Sequence, residues 1–208
     1  MKTATKIKTS AKNFARKYST REEWLTAAIG KIRPLFTRAG KPVPENVRVA
    51  CGFPSKNPLG AKKRRIGECW SDSASEGKIF EMFISPTIKE PVLVLATLLH
   101  EMIHATVGLA CGHKGAFPQL AKALGLEGKM TATIAGEALA KHLLVLNKEL
   151  GDYPHHVLDG MTNGRKKDTC RLLKAECPEC GYVIRVTKKW IEEAGYPTCP
   201  CGCEFQEG

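Results

Sequence analysis

The run Leu98-Leu99-His100-Glu101-Met102-Ile103-His104 has the residue types and the spacing for metal chemistry. Side chains four apart on an α-helix lie on one face, a turn apart, so His100 and His104 can offer imidazole nitrogens to one ion. Glu101, beside the first histidine, is placed to take a proton from water held by that ion. Two imidazoles and a carboxylate base in this order form the zinc-hydrolase pattern His-Glu-x-x-His. A solvated helix with two surface histidines would carry the same letters, but the flanks argue against it. Leu93, Leu95, Ala96, Leu98, Leu99, Met102, Ile103 and Val107 are apolar almost all round, so this helix, entered at Pro91, is expected to be buried. Burying His100, Glu101 and His104 is costly unless something satisfies them, and a metal ion would.

A third ligand is expected beyond the turn that Gly108 and Gly112 allow. The metzincin arrangement, glycine three and histidine six residues after the second His, fails because Val107 and Ala110 stand there. Glu127 and Glu137 are available downstream. His113 is the better candidate, lying in Gly112-His113-Lys114-Gly115-Ala116-Phe117 ahead of an amphipathic helix with Phe117, Leu120 and Leu124. A loop entering a helix N-terminus can turn an imidazole back towards the first helix.

A second metal site is written in cysteines. The 208-residue chain has nine, and five of them follow residue 176. An odd count with no signal peptide argues against a disulfide framework and for a reducing, cytoplasmic setting. Cys177-Pro178-Glu179-Cys180 is a zinc knuckle, and Cys199-Pro200-Cys201-Gly202-Cys203 gives an irregular second one, read as Cys199 and Cys201 with Cys203 as substitute. Two knuckles make a zinc ribbon, a module too small to hold together without its metal. Cys51 and Cys69 read as small buried residues.

The remaining elements must position these groups. Thr20 and Glu23 form a capping box for a helix from Arg21 to about Thr37, and strands are expected at 47–51, 66–70 and 79–85. Residues 131–151 read as one further helix, capped by Thr131 or Thr133. His142 reads as an ordinary helix histidine, whereas one imidazole of His155-His156 could line the cleft. The fold class is therefore α+β, a small mixed sheet packed on helices. The domain plan is a basic arm over 1–19, a metal-binding domain over 20–159, a linker over 160–169 and a ribbon over 170–208.

The net charge of +11 favours a polyanionic partner. The candidate nucleic-acid contacts are Lys62, Lys63, Arg64 and Arg65 in one loop, and Arg185, Lys188, Lys189 and Trp190 in the ribbon; each group also reads as a solvated face. The apolar stretch 91–99 falls far short of the ~20 residues of a membrane span.

His-Glu-x-x-His followed by Gly-His-x-x-x-Phe resembles the SprT-like family, which includes the Spartan proteases. The likeness runs from about residue 47 to 151 and on into the cysteine module, and phage and bacterial members are similar in the Gly52-Phe53-Pro54 and Tyr153-Pro154-His155 segments. The resemblance implies a zincin-like core, with His100, His104 and His113 binding catalytic zinc and Glu101 acting as base. It implies cleavage of protein crosslinked to DNA, in the cytoplasm or a phage's host cell. The alternative is a non-proteolytic nucleic-acid-binding or transcription-associated protein that uses the same core as a scaffold.

Overall fold

The computed structural model describes residues 16–60, 63–159 and 172–208. The basic residues up to Lys12, Lys62, the 160–169 linker and Cys170 lie outside the described residues. The chain divides into two units between Thr162 and Asn163.

The first unit begins with α1 (Arg21–Arg38). Thr20 caps it as expected, its hydroxyl accepting from Glu23 N at 3.2 Å while the Glu23 carboxylate returns to Thr20 N at 3.0 Å. The helix continues through Pro34 to Arg38. Trp24, Leu25, Ala28, Ile32 and Phe36 bury one face of it. Trp24 Nε1 donates to Gly151 O at 3.0 Å, anchoring this helix to the far end of the unit.

Strands β1 (Val47–Cys51), β2 (Gly67–Trp70) and β3 (Phe80–Ile84) form a mixed sheet in the order β1-β3-β2. β1 runs parallel to β3 and β2 antiparallel to it. The period-2 alternation sends Val49, Gly67, Cys69, Met82 and Ile84 into the core and Glu68, Trp70, Glu81 and Phe83 to the other face.

Helix α2 (Pro91–Val107) packs on the inner face of this sheet. Pro91 opens it, and the Glu90 carboxylate accepts from Leu93 N at 2.7 Å. Leu95, Leu98, Leu99, Met102 and Ile103 are fully buried, as the all-round apolar pattern predicts. Helix α3 (Ala116–Ala123), hairpin β4–β5 (Leu126–Lys129 and Ala132–Ala135) and α4 (Glu137–Leu150) complete the unit.

The hairpin corrects the expectation of a single helix over 131–151. Thr131, Thr133 and Ile134 are β-branched and favour strand backbone, and the helix starts only after Gly136, its N-cap. Thr131 and Thr133 are therefore not caps.

The second unit has β6 (Leu172–Glu176), β7 (Val183–Thr187), α5 (Lys188–Ala194) and β8 (Gln206–Glu207), with strand order β7-β6-β8. Its core is small: Ala175, Cys177, Cys199 and Phe205. The molecule is thus mixed α+β, and no described helix is long and apolar enough to cross a membrane.

Candidate metal centre

His100 and His104 stand one turn apart on α2, as their spacing requires. At Gly108, with φ +82°, the helix stops; a 3₁₀ turn follows at Leu109–Cys111. Gly112 adopts φ +53° and Gly115 φ +56°, a left-handed region that suits glycine, so the chain doubles back between them. This fold-back brings His113 Nε2 to 3.1 Å from His100 Nε2 and 3.3 Å from His104 Nε2.

Three nitrogens held ~2.0–2.1 Å from a tetrahedral zinc would stand about 3.3 Å apart, so the spacing fits one ion. The three Nε2 atoms converge on one point, where a single cation can take a lone pair from each ring. Among the described residues His104 Nδ1 is buried with no hydrogen-bond partner, leaving Nε2 as that ring's polar outlet. His100 Nδ1 lies 2.8 Å from Thr133 Oγ1 on β5. If Nε2 is the ligand atom, Nδ1 carries the proton and donates to the hydroxyl, which fixes the ring and its tautomer.

Phe117, fully buried at the first turn of α3, is the floor of the cluster. Its ring centroid lies 4.9, 4.5 and 4.9 Å from those of His100, His104 and His113. This low-dielectric support keeps the imidazoles neutral. Burial pulls His100 down to about 3, helped by the two neighbouring rings, and pulls His104 down to about 4. His113 is lowered too, by burial and then by the Arg65 charge. Neutral imidazoles are the form that binds metal.

Glu101 points from the same helix towards β2 and is 5% exposed. Burial pushes its carboxyl up to about 8; Arg65 opposes this and Glu68 adds to it. Gly67 lets the strand approach closely: a Cβ there would collide with Glu101 Oε1 and lie 2.6 Å from Thr97 Cγ2, so the carboxyl would have to move. Among the described residues β2 is an edge strand of its sheet, and the Glu101 carboxyl lies against its Gly67.

The other candidate ligands lie apart from this cluster. Glu127 is exposed on β4, and Glu137 pairs with Lys141 at 2.7 Å. His142 sits half-buried on α4. His155 Nδ1 faces Arg21 Nη1 at 3.2 Å and Nε2 faces Pro86 O at 2.8 Å. Arginine can only donate, so this ring is neutral with the proton on Nε2, and both nitrogens are spent on holding the chain together. His156 is exposed.

In the ribbon, Cys177, Cys180, Cys199 and Cys201 gather their sulfurs within 4.8 Å of one another. Cys177 and Cys201 stand 3.3 Å apart, and Cys180 and Cys199 3.5 Å, near the ~3.8 Å edge of a tetrahedral Zn–S₄ site. Cys203 closes the second knuckle through its backbone, its carbonyl accepting from Cys199 N at 2.7 Å, while its side chain packs on the core. The Cys201 thiol is drawn down to about 6, first by the Cys203 backbone N–H and then by the Cys177 and Cys199 thiols. Cys51 and Cys69 are on β1 and β2, with β3 between them.

Of the candidate nucleic-acid contacts, Lys63 and Arg64 are exposed. Arg65 instead pairs with Glu68 at 2.6 Å and projects its field onto Glu101, His104 and His113. In the ribbon, Arg185 is exposed on β7. Lys188 and Lys189 pair with Glu192 at 3.4 Å and Glu193 at 3.8 Å, and Trp190 is 57% exposed beside Lys189.

Two roles escaped the sequence reading: that of Thr133, read there as a helix cap, whose partner His100 is 33 positions away, and that of Gly67, which shows only as a close approach. No protein-family model, curated protein or solved structure matches the chain.

Proposed function

We propose that this protein is a zinc metallopeptidase with a zincin-like core, similar to the SprT-like family, acting on DNA-associated or DNA-crosslinked protein. His100, His104 and His113 would hold the catalytic zinc through Nε2. Cys177, Cys180, Cys199 and Cys201 would hold a structural zinc that folds the ribbon. In the histidine site zinc supplies Lewis acidity, polarising a peptide carbonyl and acidifying water.

The observation that carries the reading is Glu101. It is a buried carboxyl one residue from a proposed ligand, and among the described residues no hydrogen bond offsets its desolvation. A scaffold needs the three imidazoles but gains nothing from this group, and an unsupported buried carboxyl is destabilising. As a base, it accepts a proton from the attacking water and delivers it to the leaving amine. A nearby dication would draw its raised pKa back towards neutrality, where a general base works best. As an edge strand among the described residues, β2 could accept an extended peptide as an added strand. The +11 net charge and the exposed Lys63, Arg64, Arg185 and Trp190 support a nucleic-acid partner near the substrate.

The test is to incubate the protein with zinc, single-stranded DNA and a DNA-bound protein. Cleavage is expected, and is expected to stop with chelator. Glu101→Gln should keep its zinc but lose at least ~10²-fold in rate. Retention of DNA with no cleavage by the parent would refute the peptidase reading and favour a nucleic-acid-binding scaffold.

A further inference from the structure

The outer face of the three-stranded sheet carries a cleft of about 410 Å³ that peptide hydrolysis leaves unused. Register puts two cross-strand rows on this face, Arg48–Glu81–Trp70 and Ala50–Phe83–Glu68. Phe53 and Ser55, from the segment after β1, complete its wall.

Phe53 and Trp70 are 46% and 44% exposed, yet Trp70 is held in place. Its indole Nε1 donates to Glu68 Oε2 at 3.1 Å. The same carboxylate accepts from Ser55 N and Ser55 Oγ, each at 2.7 Å, and from Arg65 Nη1 at 2.6 Å. Glu68 thus spends its acceptors clasping Trp70, the Phe53 segment and Arg65 together. Glu81 takes Arg48 through both oxygens and keeps further lone pairs for another donor.

Charge decides the ligand class. Each carboxylate is already neutralised by an arginine, so the cleft offers a cation no net attraction, and the chain as a whole carries +11. What its lining offers is aromatic faces and acceptor capacity on Glu81; Arg48 and Arg65 are not part of that lining but pair with its two carboxylates, and are 65% and 44% exposed. A flat ring stacks on the aromatics, an exocyclic amino group donates to Glu81, and flanking phosphates meet the guanidinium groups. We propose that this cleft binds an unpaired, amino-bearing base of single-stranded nucleic acid. The proposal is independent of the metal cluster and of peptide cleavage.

The test is fluorescence anisotropy with labelled oligo(dC) and oligo(dT) on the zinc-loaded full chain, comparing the parent with Trp70→Ala, Phe53→Ala and Trp70→Phe. The ribbon contributes the same background to every variant. Oligo(dC) should bind the parent better than oligo(dT), which lacks the amine. Trp70→Ala should weaken oligo(dC) binding roughly 5- to 150-fold, the range for one stacked base, and Trp70→Phe should recover most of the loss. Photocrosslinks should map to Phe53, Trp70 or Phe83. Binding within twofold of the parent in both alanine variants, with unchanged circular dichroism, overturns the proposal. So does an arginine-rich peptide that loses binding on Trp70→Ala while oligo(dC) does not, which would make the cleft a protein site.

Discussion

Replacing Thr133 with valine should weaken metal binding at the histidine cluster while leaving the ribbon site intact. Valine keeps the β-branched shape that β5 favours and removes only the hydroxyl that meets His100 Nδ1 at 2.8 Å. With Nε2 committed to metal, Nδ1 must carry a proton, and without Thr133 that donor stays largely buried with no partner. An unsatisfied buried donor costs about 1–3 kcal/mol, a loss of roughly 5- to 150-fold in affinity. Loss of a ligand's supporting hydrogen bond typically costs ~10- to 100-fold, in the same range. The assay is competition against a chelator with cobalt as a reporter, since thiolate and imidazole sites give separable spectra. Thr133→Ser keeps a hydroxyl and should stay near the parent. If Thr133→Val holds metal as tightly as the parent, the Nδ1 contact does not orient His100 for metal binding.

Further outcomes follow from the same geometry. Phe117→Ala should cost ~3–5 kcal/mol in urea unfolding and lower metal content at the histidine site, because the floor of all three rings is lost; a loss under ~1 kcal/mol would contradict that role. Cys201→Ser should reduce bound zinc from about two ions per chain to about one, whereas Cys203→Ser should leave it near two by metal analysis. In metal-free protein, Glu101→Gln should become the more stable variant as pH rises from about 5 to above 8. The folded carboxyl has a raised pKa, so the parent holds this group's contribution below the ordinary value of 4.5 and loses it as pH rises through about 8. A parent-minus-variant difference in urea midpoint that stays flat over that range would show that Glu101 is not desolvated.

Sequence periodicity went furthest where one element settled the geometry. His100 and His104 share a face because a helix has one repeat, and the apolar letters around them required burial. Strands at 47–51, 67–70 and 80–84 were legible within a residue or so from alternation and turn residues. The third histidine needed more: His113 reaches the cluster only because Gly112 and Gly115 fold the chain back, and spacing alone left Glu127 and Glu137 open. Residues 131–135 misled because Thr133 and Ile134 fit a helical count as well as a strand, and the pairing of Leu126–Lys129 with Ala132–Ala135 settled it in favour of strand. The aromatic cleft was invisible in one dimension, because Glu81 and Trp70 become neighbours only through the register of β2 on β3.

The three imidazoles are not delivered in the same way. Two ride on a rigid, deeply packed rod and would keep their positions in an empty site, while the third travels on a half-exposed bend hinged at Gly112 and Gly115. A captured ion therefore does a latch's work on residues 108–115, and its escape must wait for that latch to lift. Substituting His113 should then shorten residence time more than it slows capture, and backbone amides in the bend should exchange with solvent faster once the ion has gone.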